Sequence, residues 1–321
     1  MSAPKVVAFG GGHGLSASLA ALRRVTPNLT AVVTVGDDGG SSGVIRDELG
    51  VLPPGDLRMA LAALAGDDDT SQLWARLVQH RLGGDGTLAG HPVGNLMLVG
   101  LTDLLEDPVA SLDVLGRLLG MVGRALPLSI QPIDIVADVV GLNPFDEGSF
   151  DEVRGQVAVA TTQGQVIGVR LDPPTVAACP EAIEAVLDAD WLVFGPGSWF
   201  TSVIPHLLVP DMRKAINASS ARCVVTLNMS AQMGETEGFS PAAHLEVLAA
   251  HAPDLNVDVV LAARRAAKDG MASLEAGAAG LGAELVVAHL GADQSVPTHD
   301  PQLLAAAYAS IFASKGDDAW Q

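Results

Sequence analysis

Apolar and polar positions over the first 35 residues predict a strand, a helix and a second strand. Residues 5–9 form a short β-branched run that ends at a cluster of glycines. Leucines then recur at Leu15, Leu19 and Leu22, the spacing of one face of a helix. A second apolar run covers residues 29–35. About 20 residues separate it from the glycines, a length that suits a right-handed crossover between parallel strands.

The middle of the chain predicts helices first and a small β structure afterwards. Apolar residues keep a helical spacing over about residues 55–120, which predicts a mostly helical layer. Alternating apolar and polar residues over about 130–171 predict a small antiparallel β piece. Its last two segments, 153–161 and 166–171, are separated by a short polar turn and are predicted to pair as a hairpin.

The last third of the chain returns to parallel strands. They are predicted at residues 191–194, 223–227, 257–262 and 284–288. Helical stretches separate them, as expected when a crossover connects each parallel strand to the next. The predicted fold class is therefore α/β, with a Rossmann-like, mostly parallel sheet and helices on both faces. No linker or repeat divides the chain, so a single domain over residues 1–321 is expected.

The charge balance limits the kinds of partner. The chain carries 18 Lys and Arg against 37 Asp and Glu, a net charge of −19, and its isoelectric point is about 4.5. Such a field repels phosphate backbones and anionic membranes, so neither nucleic acid nor a membrane is an expected partner. An anionic ligand would have to be held by backbone N–H groups and a few well-placed arginines.

Cysteine content and the N-terminal residues favour a cytoplasmic protein. Cys179 and Cys223 offer neither a disulfide framework nor the spacing of metal ligands, and both lie in apolar segments. Residues 1–9 lack the apolar core and the cleavage site of a signal peptide. The longest uncharged stretch, 191–210, is interrupted by glycines and prolines, so no insertion into a membrane is expected.

The glycines after the first strand are the first candidate for ligand binding, and we call them the first glycine loop. The loop contains Gly10, Gly11, Gly12, His13 and Gly14. Free N–H groups at a helix N-terminus favour a phosphate, and glycines let the backbone approach it closely. The alternative is a tight turn that uses glycine only for a positive φ. As a dinucleotide fingerprint the loop is imperfect, because its third glycine would fall at Leu15.

Polar residues follow the second strand at the same predicted edge of the sheet. The segment contains Asp37, Asp38, Ser41 and Ser42. The two carboxylates are candidates to bind a ribose hydroxyl or a divalent metal such as Mg²⁺. The alternative is a solvated turn in which the aspartates bind their own backbone.

Two shorter motifs add a cation, a histidine and an amide. Asp56 is a candidate N-cap, and Arg58 is one of few cations near this edge. His91 and Asn95 flank a proline and a glycine near a predicted helix start, where a ligand can reach them. The alternatives are a surface charge at Arg58 and a buried structural histidine at His91.

Two further loops follow strands of the second half. The second glycine loop contains Gly195, Gly197, Ser198, Thr201 and Ser202. Its glycines and hydroxyls precede a predicted helix and suit a second anion. The amide loop contains Asn228, Gln232, Glu235 and Thr236. Its side chains suit a base, a sugar or a phosphate, and an ordinary polar loop is equally consistent. No nucleophile motif, zinc spacing or Walker lysine accompanies these loops.

Six motifs in this order resemble one protein family. They are GGGHGLS at 10–16, VTVGDDGGSSG at 33–43, PPGDLR at 53–58, HPVGN at 91–95, GPGSWFTS at 195–202 and NMSAQMGETEGFS at 228–240. The set resembles the CofD-like superfamily and, within it, the YvcK-like gluconeogenesis factors. The chain departs from the family pattern at Met59, where an asparagine is expected, and over residues 264–282.

The resemblance implies a cytoplasmic protein that binds UDP-sugars such as UDP-N-acetylglucosamine, with no cofactor assigned. It also implies support of cell-wall synthesis, cell shape and growth on gluconeogenic carbon sources. The implied partners are proteins of cell-wall synthesis and a Ser/Thr kinase, and the helical layer is compatible with a homo-oligomer. On this hypothesis the candidate residues above bind the nucleotide sugar and none is catalytic.

Two enzymatic hypotheses stand beside it. More distant members of the superfamily are 2-phospho-L-lactate transferases. They imply a Mg²⁺-dependent transfer from a nucleotide-linked donor to a deazaflavin, with Asp37 or Asp38 as metal ligand. A nicotinamide-dependent oxidoreductase would need an acid after the second strand, which Asp37 supplies, and a hydride-transfer site that the sequence does not show.

Overall fold

Strands and helices alternate along most of the chain in a computed structural model, which describes residues 2–143, 146, 148–232, 234–268, 270–291 and 298–314. The first part contains β1 (Val6–Gly10), α1 (Gly12–Leu22), β2 (Leu29–Val33), α2 (Gly40–Leu49), α3 (Pro54–Leu64), α4 (Asp69–Gln79), α5 (Val93–Leu105), α6 (Pro108–Leu118) and β3 (Arg124–Pro127). The middle contains β4 (Asp134–Val140), β5 (Phe150–Arg154), α7 (Gln156–Ala160), β6 (Gln165–Asp172) and α8 (Pro180–Leu187). The last part contains β7 (Trp191–Phe194), a π-helical turn (Trp199–Val203), α9 (Pro205–Leu208), α10 (Pro210–Ala218), β8 (Arg222–Thr226), α11 (Pro241–His251), β9 (Val259–Ala263), α12 (Met271–Gly280), β10 (Glu284–Ala288) and α13 (Pro301–Ala313).

Seven strands of the described chain form one parallel sheet in the order β10-β9-β8-β7-β1-β2-β3. The central strand, β1, pairs with β2 on one side and β7 on the other, so that Phe9 lies opposite both Val32 and Phe194. All three residues are fully buried. Continuous apolar strands of this kind are typical of a parallel sheet covered on both faces. The predicted α/β, Rossmann-like fold class is confirmed.

The order of the strands reverses beside β1. The chain passes from β1 outward to β2 and β3, and it later returns to β7 and continues outward to β8, β9 and β10 on the other side. The connections after β1 and β7 therefore leave neighbouring strands toward opposite edges of the sheet. Such a switch point opens a crevice at the carboxyl ends of the strands. The first and second glycine loops follow these two strands, so the topology places them side by side.

Helices α3, α4, α5 and α6 form the predicted helical layer. In α3 the leucines Leu57, Leu61 and Leu64 are buried, as their spacing predicts. Helix α1 packs against α3 and α13, whereas α8 packs against α10. Cys179 and Cys223 are buried and free. None of the helices in the described ranges has the length and apolar character needed to cross a bilayer.

The small antiparallel sheet confirms the predicted β piece, but the predicted hairpin is wrong. Its strand order is β5-β4-β6, so β4 lies between the two strands that were expected to pair. Residues 153–161 do not form one strand, because Gly155 adopts a φ of 98° and β5 ends before it. The next residues form α7, where the carboxylate of Asp38 accepts a hydrogen bond from the amide of Val157 at 2.9 Å. An alternating pattern of five residues cannot distinguish this short helix from a strand.

Strand β3 and the start of α2 are not predicted from the sequence. The four residues of β3 form an edge strand that ends at Pro127. Proline has no backbone N–H group, and at the edge of the sheet no further strand has to pair with it. Four residues show too little alternation to be recognised. Helix α2 begins at Gly40, so Ser41 and Ser42 belong to its first turn and not to a loop.

Candidate functional site

A cleft of about 530 Å³ opens at the crevice between β1 and β7. Its lining residues come from segments that lie far apart in the sequence. They are Gly11, Gly12, His13, Gly14, Ala17, Asp37, Asp56, Met59, Gln156, Pro196, Gly197, Ser198, Ser202, Asn228, Gln232, Thr298 and His299. The two glycine loops therefore meet at one cleft, as the sequence predicts.

The first glycine loop presents the N-terminus of α1 to the cleft. Gly10 ends β1, Gly11 precedes the helix and Gly12 begins it with a φ of 54°, a conformation that favours glycine. The residue before the helix supplies no side chain to cap the first amides. These amides carry the positive end of the helix dipole. The geometry suits a phosphate or another anion.

The two glycine loops touch through their backbones. A Cβ atom added to Gly14 would overlap the Cα of Gly197 and the carbonyl oxygen of Pro196. A Cβ at Gly11 would in turn meet the side chains of Thr34 and Asp56. Glycine is required at Gly14 because backbone atoms cannot move aside, whereas a Cβ at Gly11 would displace the side chains of Thr34 and Asp56.

The second glycine loop differs from its prediction, since several of its amides already have partners inside the protein. The amides of Phe200 and Thr201 donate to one carboxylate oxygen of Glu235 at 2.7 and 2.8 Å. The amide of Gly197 donates to Oδ1 of Asn228 at 2.9 Å. These groups are not available to an anion. What the loop offers the cleft is the close backbone of Gly197 and the hydroxyl of Ser202, since the hydroxyl of Ser198 already donates to Glu235.

Glu235 is the internal anion of this region. It is 3% exposed, and burial raises the pKa of its carboxyl group, although hydrogen bonds from Ser198 and the Phe200 and Thr201 amides oppose that shift. It occupies the place at the start of the π-helical turn that the sequence assigns to a ligand phosphate. Gly195 follows β7 directly, adopts a φ of 71° and does not line the cleft.

The amide loop holds the second glycine loop in place. The Nδ2 of Asn228 donates to the carbonyl oxygen of Gly197 at 2.8 Å, so this side chain binds that glycine twice. Asn228 and Gln232 line the cleft. Thr236 is buried, and its hydroxyl accepts the amide of Gln232 at 2.9 Å. Of the four predicted residues, Gln232 and Asn228 thus reach the cleft, Asn228 with its side-chain amide already bound to Gly197, and the other two support the loop.

Asp56 lines the cleft from α3 and is not the N-cap that the sequence suggests. The helix begins at Pro54, so Asp56 lies within its first turn. Its carboxylate is 7% exposed and accepts a hydrogen bond from the hydroxyl of Thr34 at 3.3 Å. Burial, followed by the negative charge of Asp37, raises the pKa of Asp56 to about 7. A buried acid that titrates near neutrality therefore lies beside the first glycine loop.

The two aspartates after β2 have different environments. Asp37 lines the cleft and accepts the amide of Gly39 at 2.9 Å. Asp38 accepts the amide of Val157 and does not line the cleft. Among the residues that the structure describes, no three or more His, Cys, Asp and Glu side chains are grouped as metal ligands would be. Metal binding by these aspartates stays a prediction.

Arg58 belongs to a chain of hydrogen bonds behind the cleft and is not a surface charge. It is 6% exposed, and its guanidinium donates to Gln79 at 2.7 Å and to Oδ1 of Asn95 at 2.9 Å. Asn95 donates to the hydroxyl of Ser41 at 3.0 Å, which lies 2.8 Å from Nδ1 of His91. Burial lowers the pKa of Arg58. These predicted ligand residues bind one another and lie outside the lining of the cleft.

Some lining residues were missed by the sequence analysis. Met59 is one turn from Asp56 on α3, and its helical position could have shown that it faces the same side. Gln156 begins the short helix α7, which connects two strands of the small antiparallel sheet, so only the tertiary structure brings it to the cleft. Thr298 and His299 follow β10, and their position after a parallel strand was a usable signal.

Several known proteins are similar to this chain over most of its length. A family model described as 2-phospho-L-lactate transferase CofD matches residues 6–285. A Mycobacterium tuberculosis protein described as "Putative gluconeogenesis factor" is 51% identical over an alignment 340 positions long. The alignment covers 98% of this chain and 99% of the relative. A Listeria innocua "Gluconeogenesis factor" is 39% identical over 258 residues, 80% of this chain and 77% of the relative. A crystal structure of a UPF0052 family protein from Bacillus halodurans is 33% identical, with a TM-score of 0.83 over 96% of this chain and 99% of that one.

Proposed function

This chain belongs to the CofD family, together with the proteins described as gluconeogenesis factors, and on that premise we propose that it binds a nucleotide sugar of the UDP-N-acetylglucosamine type. One observation carries the proposal. The N-terminus of α1, with no side-chain cap from Gly11, meets the second glycine loop at the switch point of a parallel sheet. Nucleotides bind at such points in open α/β sheets.

The first glycine loop supplies the phosphate subsite of this proposal. The amides at the start of α1 that Asp56 does not bind and the hydroxyl of Ser202 lie at the cleft, where the two backbones touch. Hydrogen-bond donors of this kind hold a diphosphate without a formal positive charge. The carboxylate of Asp37 and the side-chain amide of Gln232 suit ribose, base or sugar groups, and Asn228 holds Gly197 in place beside them.

The charges around the cleft are compatible with an anion that is held by the dipoles of backbone amides and hydroxyls. Among the described residues no lysine or arginine lines the cleft, whereas Asp37 and Asp56 do. Because the pKa of Asp56 is raised to about 7, its carboxyl group is partly protonated at neutral pH and can donate a hydrogen bond to a phosphate oxygen. Uptake of a proton by Asp56 would lower the negative charge of the cleft when an anion binds.

In this proposal the protein is cytoplasmic and acts as a regulator. Ligand occupancy would report the supply of nucleotide sugar to cell-wall synthesis and to growth on gluconeogenic carbon sources. Homologues described as gluconeogenesis factors support the link to carbon metabolism.

Titration tests the proposal directly. Calorimetry and thermal unfolding are recorded with UDP-N-acetylglucosamine, UDP, GTP and ADP. We expect heat of binding and a raised melting temperature with UDP-N-acetylglucosamine, because a ligand that binds only the folded state stabilises it. No response to this ligand together with clear binding of another nucleotide would reject the assignment.

A second candidate is a Mg²⁺-dependent transferase, which the family description favours. Asp37 and Asp56 both line the cleft and are close enough for the charge of one to raise the pKa of the other, so they are the carboxylates that could hold a divalent cation. Bound Mg²⁺ would neutralise a diphosphate donor. Product formed from a nucleotide-linked phospholactyl donor and a deazaflavin, and lost in Asp37→Asn, would select this candidate over the regulator.

A further inference from the structure

One residue that lines the cleft carries a buried nitrogen without a hydrogen-bond partner in the described part of the chain. His299 lines the cleft beside Thr298, in the segment between β10 and α13. Its Nε2 atom is buried and has no partner within the described part of the chain. The other buried polar atoms without partners there belong to residues outside the lining of the cleft. An unpaired buried polar group destabilises the folded state, and in native structures such a group is commonly explained by a functional role or a bound water.

The hydrogen bond on the other side of the ring decides which nitrogen carries the proton. The backbone carbonyl of Leu227, the residue that precedes Asn228, is the partner of the imidazole. A carbonyl oxygen only accepts, so the nitrogen that faces it carries the hydrogen. Since Nε2 has no partner, that nitrogen is Nδ1. Burial lowers the pKa of His299 to about 4, so the ring is neutral at pH 7 and Nε2 holds a free lone pair.

We propose that Nε2 of His299 accepts a hydrogen bond from a hydroxyl or N–H group of the bound nucleotide sugar and thereby selects its nucleoside or sugar part. The inference rests on the proposed function. The phosphates cannot satisfy this nitrogen, because their ionised oxygens accept hydrogen bonds and do not donate them. A ligand that bears a hydrogen-bond donor beyond its diphosphate is therefore required, and a diphosphate alone leaves the nitrogen unpaired.

Two variants separate the ligand contact from the structural contact of the ring. The amide of His299→Asn can take the place of Nδ1–H and donate to Leu227, but it has no acceptor at the position of Nε2. The longer His299→Gln can place its amide oxygen there. Each variant is titrated with UDP-N-acetylglucosamine and with UDP, and its thermal unfolding is recorded without ligand.

We expect His299→Asn to keep the melting temperature of the free protein. It should bind UDP-N-acetylglucosamine roughly 5- to 30-fold more weakly, because one buried hydrogen bond to the ligand is lost. His299→Gln should restore much of the affinity. An equal loss for UDP places the donor on the nucleoside, whereas a loss confined to the sugar nucleotide places it on the sugar. Nitrogen NMR of the free protein should show an unprotonated Nε2 whose resonance shifts on ligand addition.

Two outcomes overturn the inference while the proposed function stands. The first is wild-type affinity in His299→Asn, and the second is an equal loss of affinity in His299→Asn and His299→Gln. Absence of binding by the unaltered protein to both ligands overturns the proposed function and this inference with it.

Discussion

Gly14 is the residue on which contact between the two glycine loops depends most directly. Its missing side chain lets α1 approach Gly197 and Pro196, and the atoms it would strike belong to the backbone. We expect Gly14→Ala to separate the loops, to destabilise the fold by about 1–3 kcal/mol and to abolish most binding of UDP-N-acetylglucosamine. Chemical denaturation and calorimetry measure the two effects.

Gly100 provides the matched control for this substitution. It lies in α5, is exposed, and a Cβ added there would meet nothing within 4 Å. Gly100→Ala should stabilise the protein by about 0.5–1 kcal/mol, because alanine is the better residue in a helix, and should leave binding unchanged. Normal affinity in Gly14→Ala would show that the meeting point of the loops is not the phosphate subsite.

Asp56 should make the stability of the free protein depend on pH. The pKa of this acid is raised to about 7 in the folded protein and is near 3.8 when unfolded, so between these values the folded state binds the extra proton. Stability is therefore lost as the pH rises from about 4 to about 7. In Asp56→Asn this loss disappears, and at pH 8 the variant should be more stable than the wild type by on the order of 2–4 kcal/mol. Denaturation of both proteins at pH 5 and pH 8 measures how the free energy of unfolding changes with pH. Parallel pH profiles would contradict a raised pKa of Asp56 in the folded protein.

Among the secondary-structure elements, the π-helical turn after β7 depends on a residue from another loop. Glu235 accepts both the Phe200 and the Thr201 amides, which would otherwise be buried and unpaired. We expect Glu235→Ala to lower the free energy of unfolding by about 3 kcal/mol, because each unpaired amide costs about 1–3 kcal/mol. Glu235→Gln keeps an acceptor oxygen without the buried charge and should lose less. Urea denaturation of both variants measures the difference, and equal losses would argue against the amide contacts as the cause.

The predictability of the elements follows from how local their signals are. The strand and helix of the first glycine loop, and strand β7, lie where hydrophobic runs and glycines predict them. The pairing of β5 with β4 was missed, because the partner of a strand is chosen by tertiary packing and not by the turn that follows it. The same limit applies to α7, whose start depends on a hydrogen bond from Val157 to Asp38 on a remote loop.

The whole molecule carries a net charge of −19, and this should be visible in the salt dependence of binding. Both the overall field and the carboxylates of the cleft oppose an anionic ligand, and salt screens this repulsion over about 10 Å at 0.1 M. We expect the affinity for UDP-N-acetylglucosamine to rise as sodium chloride increases from about 20 to about 200 mM. Asp37→Asn should weaken that dependence. Calorimetry over the salt series measures it, and an affinity that falls with salt would mean that a local positive field dominates.

The candidate site was predictable in its position but less so in its chemistry. Glycines after parallel strands predicted the edge of the sheet at which the cleft opens, because a turn depends on residues that are neighbours in the sequence. The roles of Arg58 and Asn95 were not recognisable, since each is the buried partner of the other across 37 positions of sequence. Likewise, nothing local reveals that Nε2 of His299 is buried without a hydrogen-bond partner among the described residues.

By itself, the sequence determined the α/β class, the acidic character of the chain and the loops that surround the cleft. These properties depend on composition, on hydrophobic periodicity and on glycine turns, which are all local. Only the tertiary structure decided which polar groups remain available to a ligand. Glu235 occupies the amides of the second glycine loop, while at the N-terminus of α1, which has no side-chain cap from Gly11, the buried carboxyl group of Asp56 accepts the amide of Gly12. The physical reason is that hydrogen bonding and desolvation depend on neighbours in space, which the order of residues along the chain does not reveal.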